Sequence, residues 1–156
     1  MTETAVKPGF RSAYVTFIPF PSRTASDRVP RILIVEDEVL IALMIGEMVR
    51  EIGYYVSGIA HNVAMARQEF AKQNFDAVLL DISVGRRCDP ESADFLWKIG
   101  VPFAFMTGYD YLVEPRHEKI PVLQKPFVST QIRTLLEKLV GPAPSSSKIV
   151  HAETGD

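Results

Sequence analysis

The sequence predicts an α/β protein with a doubly wound, five-stranded parallel sheet, and three observations lead to that prediction. Short continuous apolar runs alternate with longer stretches of helical periodicity between Arg31 and Val140. The apolar runs lack polar alternation, which is typical of strands buried on both faces of a parallel sheet. Glycine and proline lie at the boundaries between these stretches. Strands that alternate with helices imply right-handed crossovers and helices on both faces of the sheet.

The predicted elements follow one another in a regular order. In chain order they are the strand RILIV, a helix from Val39 to Ile52, the strand YYVSGIA, a helix from Asn62 to Gln73, the strand DAVLLDI, a short helix around Leu96, the strands VPFAFM and IPVLQ, and a last helix that Ser129 caps. Gly53 suits the end of the first helix. Residues 110–119 contain Pro115 and show no clean apolar face, so the fourth helix is expected to be short or irregular.

Composition limits the class of protein. A chain of 156 residues with 47% hydrophobic and 23% charged residues fits one ordinary domain with a buried core. The formal net charge of -2 argues against a nucleic-acid surface. No apolar run reaches the roughly 18–20 residues of a membrane span, and no signal segment is recognisable, so we expect a cytoplasmic protein without membrane contact. Cys88 is the single cysteine, which excludes an intramolecular disulfide and fits a reducing compartment.

Two segments are predicted to lie outside the domain, which spans residues 30–140. Residues 1–29 form an N-terminal extension, and residues 141–156 form a polar, breaker-rich tail that we expect to be disordered. The extension is unusually apolar for a tail, and its large apolar residues include Phe10, Tyr14, Phe17, Ile18 and Phe20. Two interpretations stay open: a flexible arm, or a segment that docks on its own domain or on a partner.

Polar residues stand where four of the predicted strands end. Glu36 and Asp37 follow the first strand, Asp81 ends the third, Thr107 the fourth and Lys125 the fifth. The carboxyl ends of parallel strands share one edge of a sheet, and ligands bind there. Most of these residues alone have a structural explanation, such as a helix start after the first strand, whereas an aspartate that ends a strand as apolar as AVLL has little. The ordered combination on four strand ends indicates a functional site.

The chemistry of these residue types points to phosphoryl transfer. Carboxylates that face one another repel, and a hard cation such as Mg²⁺ relieves the repulsion while keeping sites for water and phosphate oxygens. A lysine neutralises a phosphoryl oxygen as a point charge, and a threonine hydroxyl donates to another. An aspartate can act as a covalent nucleophile and form an aspartyl-phosphate. Positioning and charge neutralisation are the main requirements of this reaction.

Four stretches of the chain, ILIVEDE, DAVLLDI, FMTGY and QKPF, resemble the signature stretches of response-regulator receiver domains. The resemblance covers Arg31 to about Val140 and implies a flavodoxin-like sheet of order 2-1-3-4-5. It also implies a cis peptide bond between Lys125 and Pro126. By position it implies the following roles: Asp81 as phosphoacceptor, Asp37 as direct Mg²⁺ ligand, Glu36 as an acidic residue acting through water, Ser83 as a ligand through its backbone carbonyl, Thr107 as switch hydroxyl and Lys125 as phosphate-binding lysine.

Within the receivers, PFAFMTGYD is similar to the subgroup named after its Phe-Ala-Thr-Gly-Tyr signature, the "FAT GUY" regulators of alphaproteobacteria. Met106 stands in place of the alanine in that signature. Val122 occupies the fifth-strand position at which many receivers have an aromatic switch residue. Without an aromatic side chain at position 122, the usual coupling between the threonine and a rotating fifth-strand aromatic is not expected here.

The residues and the resemblance together predict a single-domain response regulator of a two-component system or phosphorelay. A histidine kinase or phosphotransfer protein would donate the phosphoryl group to Asp81 with Mg²⁺ present, and the switch would signal through a downstream protein target. The domain would catalyse its own phosphorylation and hydrolysis rather than turn over a substrate. One alternative is a degenerate receiver that acts only as a binding module. Another is a phosphohydrolase of the haloacid-dehalogenase kind, whose D-x-D motif is E-D-E here.

Overall fold

The computed structural model describes residues 28–83, 90–108 and 115–144. Over these residues the elements are β1 (Arg31–Val35), α1 (Val39–Glu51), β2 (Tyr55–Ala60), α2 (Val63–Lys72), β3 (Ala77–Asp81), α3 (Pro90–Lys98), β4 (Phe103–Thr107), a 3-10 helix (Pro115–His117), β5 (Val122–Gln124) and α4 (Ser129–Val140). Among the described helices, we find none with the length and apolar character needed to cross a membrane.

The five strands form one parallel sheet in the order β2-β1-β3-β4-β5. This order confirms the predicted doubly wound fold. β3 lies in the centre, and its five residues are all buried. β2 and β5 lie at the sheet edges and are more exposed.

Two apolar layers cover the two faces of the sheet. Side chains of β1 alternate between them, since Leu33 and Val35 belong to the layer under α2 and α3, whereas Ile32 and Ile34 belong to the layer under α1 and α4. Successive residues of a strand point to opposite faces, and here both faces are covered. The continuous apolar run RILIV follows from this double burial.

Helix ends follow local chemistry, with one correction. Gly53 has a φ of 94° just after α1, a conformation that a side chain would disfavour. Asn62 caps α2, because its side-chain oxygen accepts the Met65 N–H at 2.8 Å. The prediction that Ser129 caps α4 is wrong: Ser129 is the first helical residue, and Val128 is the cap residue. The Gln131 side chain accepts the Val128 N–H at 2.9 Å, so a glutamine within the first turn satisfies that donor.

The segment between β4 and β5 was predicted to hold a short or irregular fourth helix. Its slot holds the 3-10 helix Pro115–His117, whereas residues 109–114 lie outside the described part of the chain. His117 is 5% exposed, and its Nε2 lies 2.9 Å from Oδ1 of Asp94 on α3. The His117 ring also packs edge-on against Phe105 of β4 at 5.9 Å between centroids. These contacts fix the end of the segment to α3 and to the sheet.

The described residues reach slightly beyond both predicted domain boundaries. Arg28 donates two hydrogen bonds to the Asp76 carboxylate, at 2.8 and 2.7 Å. At the other end, the Tyr54 hydroxyl donates to the Gly141 carbonyl at 2.8 Å, and Ala143 packs against the layer under α1 and α4. Residues 1–27 and 145–156 lie outside the described part, so the predicted flexible arm and disordered tail stay predictions.

Candidate phosphoryl site at the carboxyl edge of the sheet

The ends of β1 and β3 bring three carboxylates together. Glu36 follows β1 and is fully buried, Asp37 is exposed, and Asp81 closes β3 with 4% of its surface exposed. Their oxygens lie within 4.8 Å of one another. Burying a carboxylate is costly unless a partner compensates it, so this cluster requires positive charge nearby.

Lys125 supplies positive charge from the far side of the sheet. Its Nζ lies 2.5 Å from Glu36 Oε2 and 3.2 Å from Asp81 Oδ2. The ammonium is 89 residues from Glu36 in sequence and 44 from Asp81. Lys125 reaches both carboxylates because the carboxyl ends of the parallel strands lie at one edge of the sheet.

The main chain of β4 and β5 fixes Lys125 and Thr107 relative to each other. Thr107 pairs with Gln124 in the ladder, and the Lys125 N–H donates to the Thr107 carbonyl at 2.7 Å. The peptide bond between Lys125 and Pro126 is cis, as the resemblance implied. Thr107 is 5% exposed, at the same edge of the sheet as the carboxylates.

Ser83 orients the Asp81 carboxylate. Its backbone N–H donates to Asp81 Oδ1 at 2.9 Å, while Lys125 holds Oδ2. The two oxygens of Asp81 therefore have different partners. Metal ligation by the Ser83 carbonyl stays a prediction, and residues 84–89 lie outside the described part of the chain.

Glu36 and Lys125 both have shifted pKa values. Burial raises the pKa of Glu36 to about 7; the hydrogen bond from Lys125 opposes the rise, and the Asp81 charge adds to it. Burial works to lower the pKa of Lys125, but the hydrogen bond to Glu36 and the charges of Asp81 and Glu36 outweigh it, so the pKa is raised. The ammonium is thus held in its charged form beside the carboxylates.

The donor set fits a magnesium ion. Mg²⁺ prefers carboxylate oxygens, and oxygens on opposite sides of its octahedral shell are about 4.1 Å apart, twice the usual ligand distance. The oxygens of Glu36, Asp37 and Asp81, within 4.8 Å of one another, need only a small approach to reach that geometry. The three carboxylates and the Lys125 ammonium sum to a formal charge of -2, which a divalent cation would neutralise.

One residue at this edge was missed by sequence reasoning. His61 follows β2, and its Nδ1 lies 3.0 Å from the Glu36 carbonyl oxygen. A carbonyl oxygen only accepts, so Nδ1 must donate and carries the proton. The signal was available, because His61 follows the second strand as Glu36 follows the first.

Comparison with known proteins places the chain in a family. No protein-family model matches it. The curated transcriptional regulatory protein PdtaR of Mycobacterium tuberculosis is 31% identical over 126 residues, which cover 77% of this chain. The match spans 62% of the length of PdtaR, so that protein extends well beyond the shared part.

Solved receiver structures match nearly over their full length. The receiver domain of the PhyR response regulator from Erythrobacter litoralis is 30% identical with a TM-score of 0.63, and the match covers 71% of this chain and 89% of that one. SdrG from Sphingomonas melonis Fr1 is 34% identical with a TM-score of 0.63, and the match covers 73% and 98%. A BeF3-activated conformation of SdrG is 35% identical with a TM-score of 0.62, over 70% and 95%. With its five-stranded parallel sheet and these receivers as relatives, the chain belongs to the response-regulator receiver family.

Proposed function

We propose that this receiver accepts a phosphoryl group on Asp81 with Mg²⁺ bound, and that it is a signalling switch of a two-component system or phosphorelay. The observation that carries the proposal is the position of Lys125, whose Nζ lies 3.2 Å from Asp81 within a cluster of three carboxylates. A lysine beside a nucleophilic carboxylate neutralises an incoming phosphoryl oxygen. A purely structural ion pair would not need the additional carboxylates.

The proposed step is a phosphoryl transfer from a phosphohistidine. A carboxylate oxygen of Asp81 forms the new O–P bond while the N–P bond breaks, and the histidine nitrogen keeps the electron pair. The Thr107 hydroxyl and the Lys125 ammonium contact phosphoryl oxygens and stabilise their charge. Glu36, Asp37, Asp81 and the Ser83 carbonyl would hold Mg²⁺, which supplies charge neutralisation between carboxylates and phosphoryl group.

The donor would be a histidine kinase or a phosphotransfer protein that docks on α1. This helix begins directly after the acidic residues, and its first turns leave a patch of large apolar side chains in solvent: Val39, Leu40, Leu43 and Met44, with Val128 before α4 also exposed. Leu40 is 77% exposed. An exposed apolar patch beside a reactive group indicates a protein partner rather than a small substrate. We place the switch in the cytoplasm, with output through a downstream protein.

Phosphorylation by acetyl phosphate tests the proposal without knowledge of the kinase. We expect one phosphoryl group per chain with Mg²⁺ in intact-mass measurements, and none after Asp81→Asn. Asp94→Asn is the matched control, because Asp94 is a half-exposed aspartate on α3, away from the acidic edge; it should label like wild type. Undiminished labelling of the Asp81→Asn chain would contradict the assignment.

Acetyl phosphate, beryllium fluoride and phosphate esters together separate the alternatives. A degenerate receiver would take up neither acetyl phosphate nor beryllium fluoride. A phosphohydrolase would turn over phosphate esters, which the Glu-Asp-Glu sequence at the end of β1 does not favour. A phosphotransfer profile against histidine kinases of the host would then identify the physiological donor.

A further inference from the structure

An apolar groove lies between α2 and α3, on the face of the sheet opposite α1. Its volume is about 340 Å³, and it is lined by Arg67, Phe70, Ala71, Glu91, Ser92 and Phe95. The rings of Phe70 and Phe95 stack at 5.6 Å between centroids and form its apolar wall. Phe95 is 37% exposed. The Arg67 guanidinium and the Glu91 carboxylate pair across the two helices at its rim.

The chain itself contains a segment of matching chemistry. Residues 10–20, FRSAYVTFIPF, include three of the nine phenylalanines and one of the five tyrosines of the chain. Burying one aromatic side chain removes roughly 150–250 Å² of its surface from water. A segment of this composition has a strong tendency to bury its apolar side chains. Neither the acidic edge nor the exposed apolar residues at the start of α1 explain why the chain contains it.

The start of the described chain lies near this groove. Arg28 is held by Asp76, which directly follows Phe75. The Phe75 ring in turn contacts Phe70, at 6.0 Å between centroids. Position 20 lies eight residues before Arg28, and an extended chain of that length spans up to about 26 Å, more than the roughly 15 Å length of a ten-residue helix such as α2. The segment can therefore reach every part of the groove.

We propose that residues 10–20 of this chain occupy the groove between α2 and α3 of the same molecule. A short tether gives an effective concentration on the order of 1 mM. An intrinsic dissociation constant of about 0.1 mM would then leave about ten docked arms for each undocked one. Weak apolar contacts therefore suffice, and the docking is independent of the phosphoryl chemistry at the carboxyl edge.

Limited trypsin digestion of the full chain tests the proposal at Arg11 and Arg23, which lie within and just after the segment. The reference is a synthetic peptide of residues 1–27. Cleavage of an opened state follows its population, so we expect Arg11 in the full chain to be cut about tenfold more slowly than in the peptide. Phe95→Ser should bring the rate close to that of the peptide. Met65→Ser is the matched control, because Met65 is also 37% exposed but does not line the groove.

A second pair of substitutions leaves the folded domain untouched. Phe17→Ser combined with Phe20→Ser should accelerate cleavage at Arg11 as Phe95→Ser does, and the melting temperature should fall only by the small amount that loss of the docked arm removes. Equal cleavage of Arg11 in the peptide and in all full-length chains would overturn the proposal and leave the groove for another protein. Protection that grows with protein concentration would also overturn it, since the arm would then sit on a second copy.

Discussion

The two edges of the sheet both contain buried carboxylates, but they are compensated differently. At the amino edge, where the strands begin, Asp76 is 7% exposed and accepts hydrogen bonds from both Arg28 guanidinium nitrogens and from the Arg31 N–H, at 2.7–2.8 Å. At the carboxyl edge, Glu36 and Asp81 contact the Lys125 ammonium, and Asp37 belongs to the same carboxylate cluster. One edge has cations and donors in excess of carboxylates, and the other has carboxylates in excess.

This difference separates a structural ion pair from a functional site. The Asp76 carboxylate is already balanced by its partners, so it holds the start of the domain against the sheet and gains little from binding a further cation. An excess of negative charge is unfavourable until a cation arrives. Burial raises the pKa of Glu36 to about 7, and the Asp81 charge adds to the rise. The amino edge therefore contributes stability, whereas the carboxyl edge retains capacity for a metal ion and a phosphoryl group.

The largest effect expected is on the free energy of unfolding when the same substitution is made at both edges. Asp76→Asn removes the charge that two arginines face, so stability should fall by about 3 kcal/mol. Asp81→Asn removes one of three repelling charges along with an attraction to Lys125, so stability should change by less than about 1 kcal/mol. Urea unfolding without Mg²⁺ measures both. An equal loss at the two positions would remove the distinction between the edges.

Mg²⁺ should increase the difference between the two edges of the sheet. A ligand that binds only the folded state stabilises it by about 2.7 kcal/mol at a hundredfold excess over its dissociation constant. We expect Mg²⁺ to increase the free energy of unfolding by this amount in wild type and in Asp76→Asn, and by only a small part of it in Asp37→Ala. Urea midpoints across a Mg²⁺ series measure it, with Ca²⁺-free buffer and constant ionic strength. The same gain in Asp37→Ala as in wild type would place the metal elsewhere.

The smallest effect concerns a neutral group at the amino edge. Tyr54 is 3% exposed, its hydroxyl donates to the Gly141 carbonyl, and burial raises its pKa to about 12. A tyrosine with a raised pKa stabilises the fold fully below pH 10 and loses that contribution as the pH rises toward 12. At pH 11 the loss is about 1.4 kcal/mol.

Tyr54→Phe isolates this titration. At pH 8 the variant should be about 1 kcal/mol less stable, because it lacks the hydrogen bond. Near pH 11 the difference should vanish or reverse. A constant difference between the two chains from pH 8 to pH 11 would show that Tyr54 titrates normally.

The accuracy of the predictions made from the sequence differs from element to element. RILIV was predicted as a strand and forms β1 with the same bounds, since a continuous apolar run of that length has few alternatives. The 3-10 helix Pro115–His117 between β4 and β5 also agrees with local chemistry, because Pro115 and the absence of an apolar face disfavour a long helix. The cap residue of α4 could not be predicted from the sequence. Ser129 and Gln131 can both accept backbone N–H groups of the first turn, and a shift of one residue in the helix start decides which of them does so.

The sequence by itself determined the order of elements, the double burial of the central strands and the residue types at the strand ends, because these depend on periodicity and on neighbours in the chain. The predicted parallel sheet also implied that the polar strand ends share one edge, but only the tertiary structure decided which atoms contact one another. Lys125 reaches Glu36 and Asp81 across the sheet, His61 bonds the Glu36 carbonyl, and Arg28 holds Asp76. Such pairs lie 25 to 89 residues apart, and no local pattern encodes their distances or the partner that each oxygen has.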